Sequence, residues 1–546
     1  MTQVSGAARI EDGDEARTEP LLLWRGPASR LAAASEVLEG WSHGESRPAP
    51  KTRTRAATAL AVSAAILSAL VFTLVGIGSV HAQNAPTLTW TPATPAATPA
   101  ASTHSDAAPG FFTGILNRGN MLGDMGGVRP WLGTYGATFN LNEVSEVLGN
   151  VSGGVHRGFA YDGLTTMSLS VDTGAALGLE GGTFEASALQ IHGRNLSAQN
   201  LSSLQTASGI EADRATRLWE LWYQQSFLDG AVDAKLGQQS LDQEFMVSAN
   251  ALLFVNTMFG WPMVPSADLL SGGPAYPLSA PGVRLRVKPS DQLTGLLGLF
   301  DDNPAGPGSG DPQLRDASGT SFRLTDSPLV IGEIQYAFNQ PTEGAMDDGK
   351  KSLGLPGSYK LGFWYDAGKF ADQEIDNTGL SLASPASSGQ AAQHRGDYSF
   401  YGVVDQTVWQ DPDSARALSL FLRPMGTPLA DRNLIVFSLN VGATLKAPFP
   451  GRDNDTLGIG FNQAQVSGRA SALDRDTNFY NGTNAPVRGS EQVVEVTYQY
   501  QLVPWWQLQP DFQYTFNPGA GIAEPGNPAK RVGDEAVLGL RTTVTF

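Results

Sequence analysis

The 546-residue chain predicts an all-β fold: a transmembrane antiparallel β-barrel of about sixteen strands with an inward-folded third external loop. Three observations carry that prediction. The last ten residues, VLGLRTTVTF, place Leu538, Leu540, Thr542, Val544 and Phe546 on one strand face and Val537, Gly539, Arg541, Thr543 and Thr545 on the other. One greasy face backed by a small or polar one suits a strand between lipid and a wet interior. Charged residues make up only 16% of the chain, well under the roughly 25% usual in soluble domains. From Gly136 onward, period-two runs recur between turn residues, and short connections alternate with long ones, as in barrels with short periplasmic turns and longer external loops.

Composition narrows the possibilities further. The 62 glycines and 34 prolines supply many turns. There is no cysteine, which excludes disulfides, thiolate metal sites and thiol catalysis, and is compatible with the periplasm or outer membrane. The net charge of −17 argues against nucleic acid as a partner. Eight acidic and eight basic residues balance within the first 82, so the acidity belongs to the remainder.

The N-terminal region divides by composition. Residues 1–55 form an extension of unknown role, explained equally by a misassigned start codon or a cytoplasmic extension. Lys51, Arg53 and Arg55 precede an uncharged run, Ala56 to Val80, and Val80-His81-Ala82 follows as a small-residue cleavage site. Basic, apolar and small-residue parts in that order read as a signal peptide over 56–82. The rival reading is a membrane-spanning helix, for which the run is long enough. Residues 83–109 are a Pro/Ala/Thr linker, 110–135 a short periplasmic segment, and 136–546 the barrel.

Within the barrel, the expected strands lie near 136–148, 165–177, 183–193, 217–227, 231–239, 282–288, 292–301, 329–339, 358–369, 398–410, 415–423, 434–446, 456–467, 492–502, 505–516 and 536–546. Every second connection is short, such as LDG, KPSD and VP, although the supposed periplasmic turn at 340–357 is longer than the pattern expects. The longest connection, Leu241 to Pro281, is the third external loop and contains FVNTMFGWPMVPSADLLSGG. A solvated loop rarely carries that much apolar surface. Folding inward against the wall would bury it and narrow the passage; a surface lid or a subunit contact would bury it too.

Several long motifs carry a family resemblance. NMLGDMGGVRPWLGTYGATFNLN (120–142), GGTFEASALQIHGRNLS (181–197), LWELWYQQSFLDG (218–230), FGWPMVPSADLLSGGPAYPLSAPGVRLR (259–286), YGVVDQTVW (401–409), PGRDNDTLGIGF (450–461) and the terminal LGLRTTVTF resemble the carbohydrate-selective porins of the OprB family, over roughly residues 111–546. The resemblance implies a sixteen-stranded barrel in the outer membrane of a Gram-negative bacterium. It implies passive uptake of small carbohydrates, monosaccharides first among them, by facilitated diffusion. A general, non-selective porin is the alternative. Phe546 resembles the signal that outer-membrane assembly machinery reads, and monomer and homo-trimer both remain open. The long leader and the Pro-rich linker depart from the family pattern.

A pore for a neutral sugar needs polar groups to replace lost water and aromatic faces to stack on the ring. Strand parity turns Arg284, Arg286 and Lys288 inward, opposite Val283, Leu285 and Val287. It places Trp219, Leu221 and Tyr223 toward lipid and Glu220 and Trp222 inward. Arg194 sits where the third strand leaves the wall, and the third loop is expected to bring Asp242, Glu244, Trp261 and Asp268 opposite these cations. Opposed charges across a narrow passage orient hydroxyls and hinder bulky ions. The plainer alternatives are solvated lumen arginines and a Trp261 that only packs the loop. GRDND (451–455) offers oxygen ligands, but a polar turn explains it without calcium. The six histidines show no HExxH spacing, and no GxSxG, P-loop or dinucleotide motif stands in its proper context. No cofactor, metal site or catalytic apparatus is expected. An outer-membrane barrel enzyme and an anchored soluble β-protein are the remaining alternatives.

Overall fold

The computed structural model describes residues 112–340 and 354–546. The expected extension at 1–55, export segment at 56–82 and linker at 83–109 lie outside the described residues, as does 341–353 of the long turn.

Sixteen strands close into one antiparallel barrel. They are β1 (Ala137–Ser152), β2 (Gly158–Asp172), β3 (Gly182–Gly193), β4 (Ala215–Phe227), β5 (Val232–Gln239), β6 (Ala280–Val287), β7 (Leu293–Asp301), β8 (Pro328–Phe338), β9 (Gly357–Asp376), β10 (Ala391–Gln410), β11 (Ala417–Gly426), β12 (Ile435–Lys446), β13 (Thr456–Val466), β14 (Ser490–Val503), β15 (Trp506–Phe516) and, after a small external hairpin, β18 (Glu535–Thr545). The hairpin consists of β16 (Ala523–Glu524) and β17 (Asn527–Arg531) and pairs with no other described strand. Successive barrel strands pair, and β18 joins β15 to β1 with Asn142 opposite Thr545 and Leu148 opposite Gly539. No edge is left open, which is what a membrane sheet requires.

The alternation that predicts the strands also sets their two faces. Leu236, Ile334, Leu361, Phe400, Leu538 and Leu540 point outward and are exposed, whereas the alternate positions Lys235, Glu333, Trp364, Tyr401 and Val537 are buried. An outer face of exposed apolar side chains, with charged residues among the buried inward ones, inverts the soluble pattern and is that of a barrel whose outside meets lipid. No described helix is long and apolar enough to cross a membrane.

Three departures from the sequence expectation have local causes. The second strand runs 158–172 rather than 165–177, because Asp172 caps a short helix, Thr173–Leu177, accepting from Gly174 N at 2.8 Å and Ala175 N at 3.3 Å. The strand instead starts earlier, with GFAYDGL paired to β1, so the first external link is only residues 153–157. The third concerns Trp219, assigned by parity to the lipid. A bulge between Ala186 and Ala188 shifts the β3–β4 register, and Trp219 turns inward, edge-on to Tyr276 at 6.4 Å. Below the bulge Leu221 stays exposed on the outer face while Glu220 and Trp222 point inward.

At the periplasmic end, residues 112–136 cover the seam. Met121 N donates to Thr545 O at 2.8 Å, the Trp505 indole donates to Ile115 O at 2.7 Å, and Arg129 reaches the Phe546 carbonyl.

Candidate functional site

The connection between β5 and β6 is tied by hydrogen bonds to inward-facing side chains of at least six other strands. The Arg423 guanidinium on β11 donates to four of its carbonyls, Met246 (2.7 Å), Met258 (2.7 Å), Phe259 (2.8 Å) and Gly260 (3.0 Å), and its Nε to Asn440 Oδ1 on β12. Glu333 on β8 accepts from Met246 N, and Asp405 on β10 from Ser248 Oγ, Ala249 N and Asn250 N. Glu495 on β14 accepts from Val255 N at 2.6 Å and Asn256 N at 3.0 Å, and Gln509 on β15 donates to Leu253 O. Lys360 on β9 donates to Val247 O. A segment bonded to the inner face of so many strands runs across the lumen beside the wall.

Its apolar residues pack there as well. Phe254 and Phe259 stack at 4.3 Å, with Phe421 of β11 at 5.5 and 5.8 Å. They lie against β13 at Gly458 and Gly460, where a Cβ on Gly460 would come within 2.4 Å of the Phe259 ring. The G-x-G of PGRDNDTLGIGF is therefore the floor on which the loop rests.

The charged cluster is built where this loop leaves β5. Register places Gln224, Lys235 and Arg284 side by side on β4, β5 and β6, and Asp233 opposite Arg286. Two cations adjacent in one row repel. Glu244, from the loop, accepts from Arg284 Nε at 2.6 Å and Nη2 at 2.9 Å and pairs with Lys235. Arg284 also donates to Gln224 Oε1 at 2.8 Å and pairs with Asp233, which in turn pairs with Arg286. Lys235 Nζ stands 4.4 Å from the centre of the Trp222 ring. Burial pushes the Glu244 carboxyl up, but the Lys235 and Arg284 charges outweigh it and hold it at about 2. Arg284 is only 2% exposed, against 17% for Arg286 and 25% for Glu244, so the latter two face the passage while Arg284 holds Glu244 directly and Arg286 through their shared Asp233. The neighbouring inner wall is polar: Glu185 on β3 stands opposite both Trp222 and Ser170, and Asn140, Asn142, Thr166, Ser168 and Ser170 are half-buried on β1 and β2.

Of the residues expected from sequence, the structure brings together Glu220, Trp222, Glu244, Arg284 and Arg286, with Asp242 on the shoulder. Glu220 Oε1 and Asp242 both receive Ser240, through its N at 3.1 Å and its Oγ at 2.6 Å, and Asp242 also accepts from Tyr276 N. It does not bring in the other three. Arg194 lies at the external end of β3, exposed and donating to Phe159 O at 2.9 Å. Asp268 accepts from Leu434 N and Ile435 N at the start of β12. Trp261 is 6% exposed in the loop's own core, its indole donating to Gly272 O at 3.1 Å. Lys288 lies beyond the end of β6. Parity missed Asp233 and Lys235, although VDAKLG alternates them against Val232, Ala234 and Leu236. It also missed Arg423, which shares its face with Phe421 and Met425 and so carries no polar stripe. The GRDND turn is closed by Arg452, which donates to both Asp455 oxygens at 2.8 and 2.7 Å.

Comparison with known proteins matches residues 156–546 to the family described as carbohydrate-selective porin, OprB family. The chain is 27% identical to Porin B of Pseudomonas aeruginosa over 430 residues, covering 74% of this chain and 88% of that protein. It is 24% identical to a putative porin, QuiX, of Acinetobacter baylyi over 445 residues, covering 78% and 93%. Among solved structures it resembles Pseudomonas putida OprB at high pH, with a TM-score of 0.68 and 24% identity, covering 79% of this chain and 99% of that one. The described barrel and the family match lead to one conclusion: the chain belongs to the carbohydrate-selective porin, OprB, family and is a sugar-uptake channel of the Gram-negative outer membrane.

Proposed function

We propose that the channel admits small, monosaccharide-sized carbohydrates by facilitated diffusion, and that selection occurs where Glu244 and the β4–β6 wall meet. The observation that carries this reading is the position of Glu244 between Lys235 and Arg284, with Arg286 and Trp222 beside it. Charges fixed by one another present directed donors and acceptors to hydroxyls while adding little net charge to attract ions. Trp222 adds a ring face for the apolar side of a sugar. Glu220, Asp242 and Arg284 act as positioning residues. Arg194, Trp261 and Asp268 drop out of the selecting set, because each is engaged elsewhere. The outward leucines and aromatics meet outer-membrane lipid, and Phe546 is offered to the outer-membrane assembly machinery.

Planar-bilayer conductance with added sugars tests the reading. Monosaccharides are expected to reduce ion current in a saturable way. Current indifferent to every sugar tried would make the protein a general, non-selective porin.

A further inference from the structure

Outside the lumen cluster, the strongest unexplained chemistry lies at the external rim, where β7 ends and the following loop returns to β8. One carboxylate oxygen from each of Asp301, Asp302 and Asp326 lies within 4.8 Å of the others. Each of the three also has a buried oxygen with no hydrogen-bond partner, Oδ2 of Asp301, Oδ1 of Asp302 and Oδ2 of Asp326. Asp302 is 1% exposed, so its carboxylate is shut off from bulk solvent. Independently, Asp366 on β9 is fully buried, its Oδ2 is also unpartnered, and its carboxyl lies against that of Asp302. The nearby Gly368 keeps that approach clear, since a Cβ there would come within 2.9 Å of both Asp302 Oδ2 and Asp366 Oδ1. Among the described residues, the ion pair that reaches the group is Arg323 on Asp326, and that arginine is 57% exposed.

Clustered carboxylates with unsatisfied buried oxygens are costly unless a cation joins them. We propose that Asp301, Asp302 and Asp326, with Asp366 beside them, form a binding site for a divalent cation, calcium by its oxygen-only donor set. Calcium takes six to eight oxygens in a flexible shell, so main-chain carbonyls and water can complete what the carboxylates begin. The cation would staple the start of the 302–327 loop to its end and to β9. That loop touches the third loop, through Ser271 Oγ donating to Asn303 Oδ1 at 2.6 Å and Arg315 Nη2 donating to Ser271 Oγ at 3.2 Å. Calcium at the rim would therefore also steady the base of the lumen segment.

The competing account is a set of carboxylic acids sharing protons, and titration with calcium separates the two. The mature porin, folded in detergent, is stripped with EDTA, dialysed, and titrated with calcium chloride by calorimetry beside the Asp302→Asn/Asp326→Asn double variant. Both are first checked as folded by heat-modifiable migration; if the double variant does not fold, Asp326→Asn alone takes its place. One calcium per chain is expected in the parent, with affinity at least tenfold weaker in the variant, and a calcium-dependent rise in unfolding temperature in the parent only. No binding to the stripped parent at millimolar calcium, or equal binding by the variant, would overturn the proposal.

Discussion

Glu244 separates two cations that the strand register forces together, and its substitution tests how much of the site depends on it. Glu244→Gln keeps the shape but leaves Lys235 and Arg284 facing each other. Losing charge-assisted hydrogen bonds of this kind costs about 2 kcal/mol, so sugar block of the current is expected to weaken by roughly thirtyfold. Arg284→Ala is expected to weaken block as well, by releasing Glu244 rather than by removing a contact to sugar, because Arg284 is buried; an unchanged block constant for either variant removes that residue from the site. The pH response follows from the same pairing. The folded Glu244 carboxyl titrates at about 2, below its ordinary 4.5. A depressed carboxylate contributes stability above its unfolded value and loses it as pH falls toward the folded one. The contribution of Glu244 to sugar block is therefore expected to fade between about pH 4.5 and 2, read as the difference in conductance block between the parent and Glu244→Gln across that range.

At the level of elements, the lumen segment depends on Arg423 and on the two glycines beneath it. Arg423→Ala leaves four carbonyls without their donor and is expected to release Met246 to Gly260 from β11. The barrel should still migrate as a folded, heat-modifiable species, while single-channel conductance rises and the segment becomes open to protease. Gly460→Val drives two methyl groups into Phe259, and overpacking of this kind costs about 1–3 kcal/mol; a lower unfolding temperature checks it. The strands around this segment were legible because one face meets lipid, and alternation such as Val283, Leu285, Val287 against Arg284 and Arg286 survives in the residue order. The bulge at Ala186 was not legible, since one extra residue in β4 turns Trp219 to the other face, leaves Glu220, Leu221 and Trp222 as assigned, and makes no mark in composition. Nor were the anchors of the lumen segment. Arg423 and Met246 are 177 residues apart, and only the closed barrel brings them together.

The whole molecule is closed by a seam whose two sides come from opposite ends of the barrel. β1 pairs with β18 along ten positions, and Arg129 meets the Phe546 carbonyl across 417 residues of chain. Phe546 N also donates to Leu141 O at 2.9 Å. Deleting Phe546 is expected to reduce the heat-modifiable fraction recovered from outer membranes, and an undiminished fraction would show that the last residue is dispensable for assembly. A consequence for biosynthesis follows from the same seam. Closing a contact between remote parts of a chain is slow, because loop entropy is lost before the contact forms. Until the last strand is made, β1 has no second partner, and every shorter nascent product presents a bare strand edge. The barrel therefore cannot close until β18 is in place, and a chain truncated before β18 is expected to keep β1 as a bare edge that invites aggregation or proteolysis.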